Sequence, residues 1–239
     1  MKEAKNFSQQ LNILRAGVLG ANDGIISVAG VLGANDGIIS VAGVVIGVAS
    51  ATHNLWIIFL SAASAILAGA FSMAGGEYVS VSTQKDTEQA AVAREEKLLE
   101  NNPELAKKSL VDIYLAKGES HEHAQWLVDK AFSKNAIEHL VEEKYGIEFG
   151  EYTSPWHAAI SSFIAFAIGS IFPTITILLL PFSVRIVGTV IIVIVSLLST
   201  GYVSAKLGQA PTVPAMRRNV MIGCLTMLAT YVIGQLFSI

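Results

Sequence analysis

The sequence has a single cysteine, Cys224, and few charged residues for its length of 239. One thiol excludes a disulfide framework and a metal site built from several cysteines, so any metal must be bound by oxygen, imidazole or thioether groups. Only 15% of the residues are charged, whereas 52% are hydrophobic and the mean hydropathy is +0.54. This composition is far more apolar than that of an average soluble domain and indicates a protein dissolved in a lipid bilayer.

Acidic residues are scarce outside the middle of the chain. Fifteen of the 19 lie between Lys85 and Glu151, together with nine of the 16 basic residues. This segment therefore faces water, and its acidic character argues against a nucleic acid as partner, because it would repel phosphate groups. The four acidic residues outside it are Glu3, Asp23, Asp36 and Glu77.

Five stretches are apolar over the roughly 20 residues that a membrane-spanning helix needs. Basic residues concentrate before the first stretch, in the 85–151 insert and between the last two stretches, which places the N-terminus and the insert in the cytoplasm. The sequence thus predicts an all-α polytopic membrane protein with five transmembrane helices and a small cytoplasmic helical domain between helices 2 and 3. The predicted spans are roughly 14–51, 54–80, 156–180, 183–205 and 218–238, and the predicted domains are 1–84, 85–151 and 152–239.

The insert is predicted to contain three helices, over 85–101, 104–117 and 120–145. Asn-Asn-Pro and two glycines supply the stop signals, and Ser120 is the expected N-cap of the third helix. A domain of about 65 residues buries little core by itself. It is expected to pack against the membrane part or against a second copy.

Residues 18–30 recur without a change at 31–43. The duplication makes the first apolar stretch too long for one crossing, since 38 helical residues reach about 57 Å against about 30 Å of hydrocarbon. Each copy carries an Asn-Asp-Gly triplet, and the two aspartates would lie about 20 Å apart along a helix and about 140° apart around it. They therefore cannot share one site, and Asp36 is better placed than Asp23 for the membrane interior.

Two further residues, on the second span, extend this candidate site. Met73 and Glu77 are four residues apart and share one face of a helix. A carboxylate in a spanning helix is costly and by default marks an ion or proton path. A thioether with carboxylates suits Fe²⁺ or Mn²⁺ better than Mg²⁺ or Ca²⁺, which prefer oxygen alone. A packing role for Met73, and a headgroup position for Glu77, remain alternatives.

The segments 15–27 and 72–86, followed by 112–118 and 155–166, resemble the vacuolar iron transporter family over essentially the whole chain. The resemblance implies a homodimer of five-helix subunits with an ion path near the dimer interface. It implies proton antiport of Fe²⁺, and often Mn²⁺, out of the cytosol, with the metal as cargo and no permanently bound cofactor. The membrane aspartate of the family falls on Asp36 or its twin Asp23, and its membrane methionine on Met73.

The resemblance also implies that the insert collects metal through glutamates and a methionine. Here the chain departs from the family, because Lys107, Lys108 and Ser109 stand where glutamates are common, and the insert lacks methionine. The remaining candidate ligands are acidic or imidazole side chains on the first and third insert helices, and a merely solvated face is an equal alternative. They are Glu95, Glu96, Glu100, Glu138, His139, Glu142 and Glu143.

Two other functional classes remain open on the residues alone. A metal-dependent membrane enzyme is disfavoured, because no HExxH, GxSxG or EF-hand pattern occurs. A membrane scaffold whose acidic insert binds a partner protein would leave Asp36, Met73 and Glu77 unexplained. The short insert favours a bacterial plasma membrane, with a vacuolar membrane as the alternative.

Overall fold

A computed structural model describes residues 21–237, with side chains from residue 30 onward. Every regular element in that range is an α-helix. In chain order the helices are α1 (Ala21–Ala51), α2 (Leu55–Asn101), α3 (Pro103–Ala116), α4 (His121–Lys134), α5 (Ala136–Tyr145), α6 (Pro155–Leu179), α7 (Arg185–Leu207) and α8 (Thr212–Leu236).

The chain forms two compact units. Of the described residues, those up to Tyr78 and from Pro155 onward form the membrane unit, and Val79–Ser154 form the insert unit. Five helices of the described part are long and apolar enough to cross a membrane, namely α2, α6, α7, α8 and the Gly30–Ala51 part of α1. The all-helical class and the five spans are therefore confirmed. The second copy of the repeat lies within the first of these spans.

The core of the membrane unit forms around α1. Ile38, Val41, Val45 and Ile46 of this helix are almost completely buried. Small residues bring neighbouring backbones close to it, because an ideal Cβ on Gly37 would collide with the carbonyl oxygen of Phe166 in α6. Such small-residue contacts let membrane helices pack backbone against backbone.

Two predicted helix boundaries are wrong. The second span and the first insert helix form one continuous helix, α2, of 47 residues. No glycine or proline lies between Tyr78 and Asn101 to interrupt it, and the Thr83 and Thr87 hydroxyls donate to carbonyls four residues back. The predicted 120–145 helix is instead divided at Asn135, which leaves the helical region of φ and ψ and both ends α4 and precedes α5.

The insert unit has its own small core. Leu110, Val128 and Leu140 are buried together, one from each of α3, α4 and α5. The expected N-cap of α4 is confirmed, since the Ser120 hydroxyl accepts a hydrogen bond of 3.2 Å from the His123 backbone N–H. Gly146 ends α5 with φ +71°, a left-handed conformation that favours glycine.

Candidate functional site

Asp36 lies on the surface of the first candidate span. The exposed residues of α1 recur every four positions at Leu32, Asp36, Ser40 and Val44, and they form one stripe along the helix, here called the Asp36 stripe. No hydrogen bond or ion pair joins the Asp36 carboxylate to another residue of the described part. Within the described part of the chain, the Asp36 carboxylate is therefore exposed and available to a cation or a proton.

The turn that carries Asp36 is held firmly against two neighbouring helices. Thr200 Oγ1 of α7 donates a hydrogen bond of 3.1 Å to Asn35 Oδ1, next to Asp36. On the α6 side, the ideal Cβ of Gly37 would lie 2.9 Å from Ser170 Oγ, and Gly169 packs in the same way against the Ala34 carbonyl. The backbone at Asp36 therefore has little freedom to shift, which fixes the point on α1 from which the Asp36 side chain extends.

Met73 reaches α1 one turn before Asp36. Its Cε atom lies 3.5 Å from the ideal Cβ position of Gly33, which itself precedes Asp36 by three residues. The Met73 side chain is half-buried and packs against the core of the membrane unit. The structure thus brings the predicted methionine to within one helical turn of the predicted aspartate along α1.

Ser162 is a polar residue at this level that sequence reasoning missed. Its carbonyl oxygen lies 3.4 Å from the same Gly33 Cβ position, and the residue is fully buried. Its hydroxyl oxygen has no hydrogen-bond partner in the described part. Most buried hydroxyls in proteins have a hydrogen-bond partner, which makes Ser162 an exception among the described residues. Neither spacing nor composition distinguishes Ser162 from the other small residues of α6.

Glu77 and Asp23 complete the predicted membrane set. Glu77 is half-buried on α2, one turn after Met73, and the adjacent Tyr78 ring packs against Trp156 with centroids 4.9 Å apart. Asp23 falls on the backbone of α1, but its side chain lies outside the described residues. Its role stays a prediction, as does that of Glu77.

In the insert unit, Glu95 binds basic and phenolic groups of the chain itself. The residue is only 3% exposed, and Lys144 Nζ lies 2.6 Å from its Oε2 atom. The Tyr145 hydroxyl donates a hydrogen bond of 2.8 Å to Oε1. This bond, followed by burial, raises the pKa of Tyr145. Both carboxylate oxygens of Glu95 are therefore occupied.

Glu143 has a similar environment. Lys117 Nζ forms an ion pair with its Oε2 atom. Burial, followed by the charge of Glu143 and a hydrogen bond to it, raises the pKa of Tyr114 to about 12. The arrangement couples α3 to α5, because Tyr114 lies in the last turn of α3 and Lys117 is its C-cap residue.

The other predicted insert ligands do not assemble around a common point. Glu138 accepts a hydrogen bond of 2.9 Å from Asn135 Nδ2, Glu96 and Glu100 are exposed, and His139 is half-buried. Among all the residues that the structure describes, no three His, Cys, Asp or Glu side chains form a group that could hold a metal ion. Metal collection by the insert remains a prediction.

Five apolar helices with one conspicuous carboxylate on α1 define a multi-pass helical membrane protein. A family model described as the VIT family matches residues 29–235, which is most of the chain. The chain belongs to this family, and the resemblance found in the sequence motifs is confirmed.

Curated relatives agree with this assignment. The chain is similar to a vacuolar iron transporter of Acanthamoeba castellanii, with 34% identity over 93% of this chain and 78% of the relative. It is also similar to vacuolar iron transporter homologs 2 and 3 of Arabidopsis thaliana. Homolog 2 is 30% identical over 98% of this chain and 89% of its own length. Homolog 3 is 31% identical over 96% of this chain and 86% of its own length. These relatives are named as transporters, in agreement with the expectation that the chain is not an enzyme.

Proposed function

We propose that this protein transports Fe²⁺ or Mn²⁺ across a membrane in exchange for protons, out of the cytosol. The observation that carries the proposal is the position of Asp36, an unpaired carboxylate on the exposed side of a candidate span. Placing such a group in hydrocarbon costs a few kcal/mol or more, and intramembrane carboxylates of this kind mark ion and proton paths. The names of the relatives support a metal ion as the cargo.

The side chains near Asp36 favour a transition metal. Met73 Cε and the Ser162 carbonyl oxygen both lie within 3.5 Å of an ideal Cβ on Gly33, one turn before Asp36 in α1, so a thioether stands one helical turn from the position of the carboxylate. Hard cations such as Mg²⁺ select oxygen ligands, whereas Fe²⁺ and Mn²⁺ accept a mixed set. Proton coupling follows because a carboxylate must be deprotonated to bind the metal, and protonation releases it.

The active form in this proposal is a homodimer. A second copy that packs on the Asp36 stripe would shield the carboxylate from lipid and would bring the Asp36 residues of both subunits near the symmetry axis. A two-fold interface pairs the same surface of both subunits, so a single stripe is sufficient to build it. The stripe combines apolar Leu32 and Val44 with polar Asp36 and Ser40.

Flux measurements in sealed proteoliposomes with an imposed pH gradient test the proposal. Asp36→Asn keeps the size of the side chain but removes its charge, and we expect Fe²⁺ and Mn²⁺ flux to fall to the level of empty vesicles. Met73→Leu should weaken transport of both metals. Ser40→Ala, on the same stripe, is the matched control and should transport normally.

The same vesicles report proton counter-flow through a pH-sensitive dye. Metal uptake without proton movement would refute the antiport part of the proposal. Full flux in a correctly folded Asp36→Asn variant would refute the assignment of Asp36, and Asp23→Asn then shows whether the other copy carries the function.

We also propose that the acidic residues of the insert assist metal delivery without being essential. The double variant Glu142→Ala with Glu143→Ala should reduce equilibrium metal binding by the full-length protein while some transport persists. Unchanged binding would show that these carboxylates serve only as a solvated and ion-paired face. Glu143 already forms an ion pair with Lys117, so the metal-binding measurement distinguishes a carboxylate that binds metal from one that serves only this ion pair.

A further inference from the structure

An open groove runs between α7 and α8 on the membrane unit. Its volume is about 670 Å³. On one side of it the two helices pack closely, since an ideal Cβ on Gly201 would lie 2.8 Å from Met216 Cα. Ile194 and Leu198 of α7 form one wall of the groove, and Val220 and Met221 of α8 belong to the other.

Two adjacent arginines, Arg217 and Arg218, line this groove, with Val213 and Pro214 nearer the start of α8. Both are exposed, and neither forms an ion pair with a carboxylate in the described part of the chain. The sequence contains no Asp or Glu after Glu151, so α6, α7 and α8 offer these arginines no counter-ion. Their positive charge is open to an external anion.

The groove extends from the arginines towards the middle of the span. Arg217 lies about 8 Å from the start of α8, whereas Ile194 lies about 20 Å from the nearby end of α7. The helices that form it are both candidate membrane spans, so the apolar walls face lipid and the arginines lie near the headgroups. A molecule that fills the groove therefore needs an apolar chain and an anionic head.

We propose that this groove is a binding site for an anionic phospholipid. An acyl chain lies against Ile194, Leu198 and Met221, and the phosphate is held by Arg217 and Arg218. Arginine matches phosphate with paired N–H donors, and basic pockets between spanning helices favour anionic over zwitterionic headgroups. The inference needs only the placement of α7 and α8 in a membrane and does not depend on the transported ion.

Lipid binding to the full-length protein in non-ionic detergent tests the site, with native mass spectrometry as the readout. Phosphatidylglycerol should remain bound at concentrations where phosphatidylcholine is lost. The double variant Arg217→Gln with Arg218→Gln should weaken phosphatidylglycerol binding roughly thirtyfold, because each arginine near a headgroup contributes about a fivefold factor. Lys206→Gln removes a basic residue in the last turn of α7 that does not line the groove, and this variant should bind phosphatidylglycerol normally.

A second pair of variants tests the apolar part. Leu198→Trp fills the groove and should reduce phosphatidylglycerol binding with both arginines intact. Leu225→Trp, at an exposed position of α8 that does not line the groove, is its control. If the double arginine variant does not fold, the single variants Arg217→Gln and Arg218→Gln together with Leu198→Trp decide the question.

Several outcomes would overturn the assignment. Equal retention of phosphatidylcholine and phosphatidylglycerol would show that the arginines do not select charge. Displacement of the lipid by inorganic phosphate alone would identify a free-anion site. Conversion of a dimer to a monomer by Leu198→Trp, with lipid binding unchanged, would show that a second copy occupies the groove.

Discussion

Lys144 Nζ lies 2.6 Å from Glu95 Oε2, in the interior of the insert unit. Glu95 stays a predicted metal ligand, and in the structure its carboxylate binds a lysine and a tyrosine hydroxyl from α5. The lysine supplies the positive charge that a metal ion would otherwise supply. Glu95 therefore joins α2 to α5 through an ion pair and a hydrogen bond.

Replacing Lys144 should loosen the insert unit. Lys144→Met leaves the Glu95 carboxylate buried without its counter-charge, which costs about 3 kcal/mol when one partner of a buried ion pair is removed. We expect faster hydrogen–deuterium exchange across α5 in the full-length protein. Lys108→Met, at an exposed position of α3, is the control, and equal exchange in the two variants would show that the pair contributes little.

Tyr114 should lose its phenolic proton only at unusually high pH. Its pKa is raised from 10.0 to about 12, first by burial and then by Glu143. The folded protein holds the Tyr114 proton more tightly than the unfolded chain does. The contribution of Tyr114 to the free energy of unfolding is therefore fully present below pH 10 and is lost as the pH rises towards 12. Ultraviolet titration of tyrosinate, with Tyr114→Phe to identify the signal, measures the pKa directly.

Glu143→Gln separates the two causes of this shift. Removing the negative charge should lower the pKa of Tyr114, but burial should keep it above its ordinary value of 10.0. A pKa that does not move in Glu143→Gln would exclude the electrostatic contribution. A return to the ordinary value would exclude the contribution of burial.

Hydropathy and local capping signals were sufficient to predict the spans and one helix cap. Five apolar stretches gave five spans, and Ser120 gave the N-cap of α4. Met73 and Asp36 were chosen for their chemistry, and the structure packs Met73 against Gly33, one turn before Asp36.

Contacts between distant residues left no local signal. Lys144 and Glu95 are separated by 49 positions and meet only because the insert helices pack together. The hydrogen bond between Thr200 and Asn35 joins residues 165 positions apart, and Ser162 looks like any small residue of a membrane helix. The division at Asn135 was missed because the apolar period continues on both sides of it.

The close contact between α1 and α6 should not tolerate an added methyl group. In Gly37→Ala the new Cβ would collide with the Phe166 carbonyl, and overpacking of this kind costs about 1–3 kcal/mol. We expect a lower temperature for loss of the monodisperse protein in detergent, and reduced metal flux because Asp36 is displaced. Gly30→Ala is the control, since nothing lies within 4 Å of its added Cβ and alanine favours a helix. Equal stability of the two variants would show that α1 and α6 can separate without cost.

Removing one copy of the tandem repeat should preserve transport. Deletion of 18–30 and deletion of 31–43 give the same protein, because the two segments are identical. That single-copy chain keeps the whole span and one aspartate, and the family match begins at residue 29, after nearly all of the first copy. We expect proteoliposome flux close to that of the full chain, and complete loss when the remaining aspartate is changed to Asn.

Point substitutions in the full-length chain then assign the two copies. Asp36→Asn should abolish flux and Asp23→Asn should leave it unchanged, because Asp36 lies inside the candidate span that ends at Ala51, whereas Asp23 is 13 residues, or about 20 Å of helix, further from that end. The reverse result would place the first copy in the membrane. An inactive single-copy chain beside an active full-length chain would show that transport requires the additional 13 residues, and the first copy would then have a function of its own.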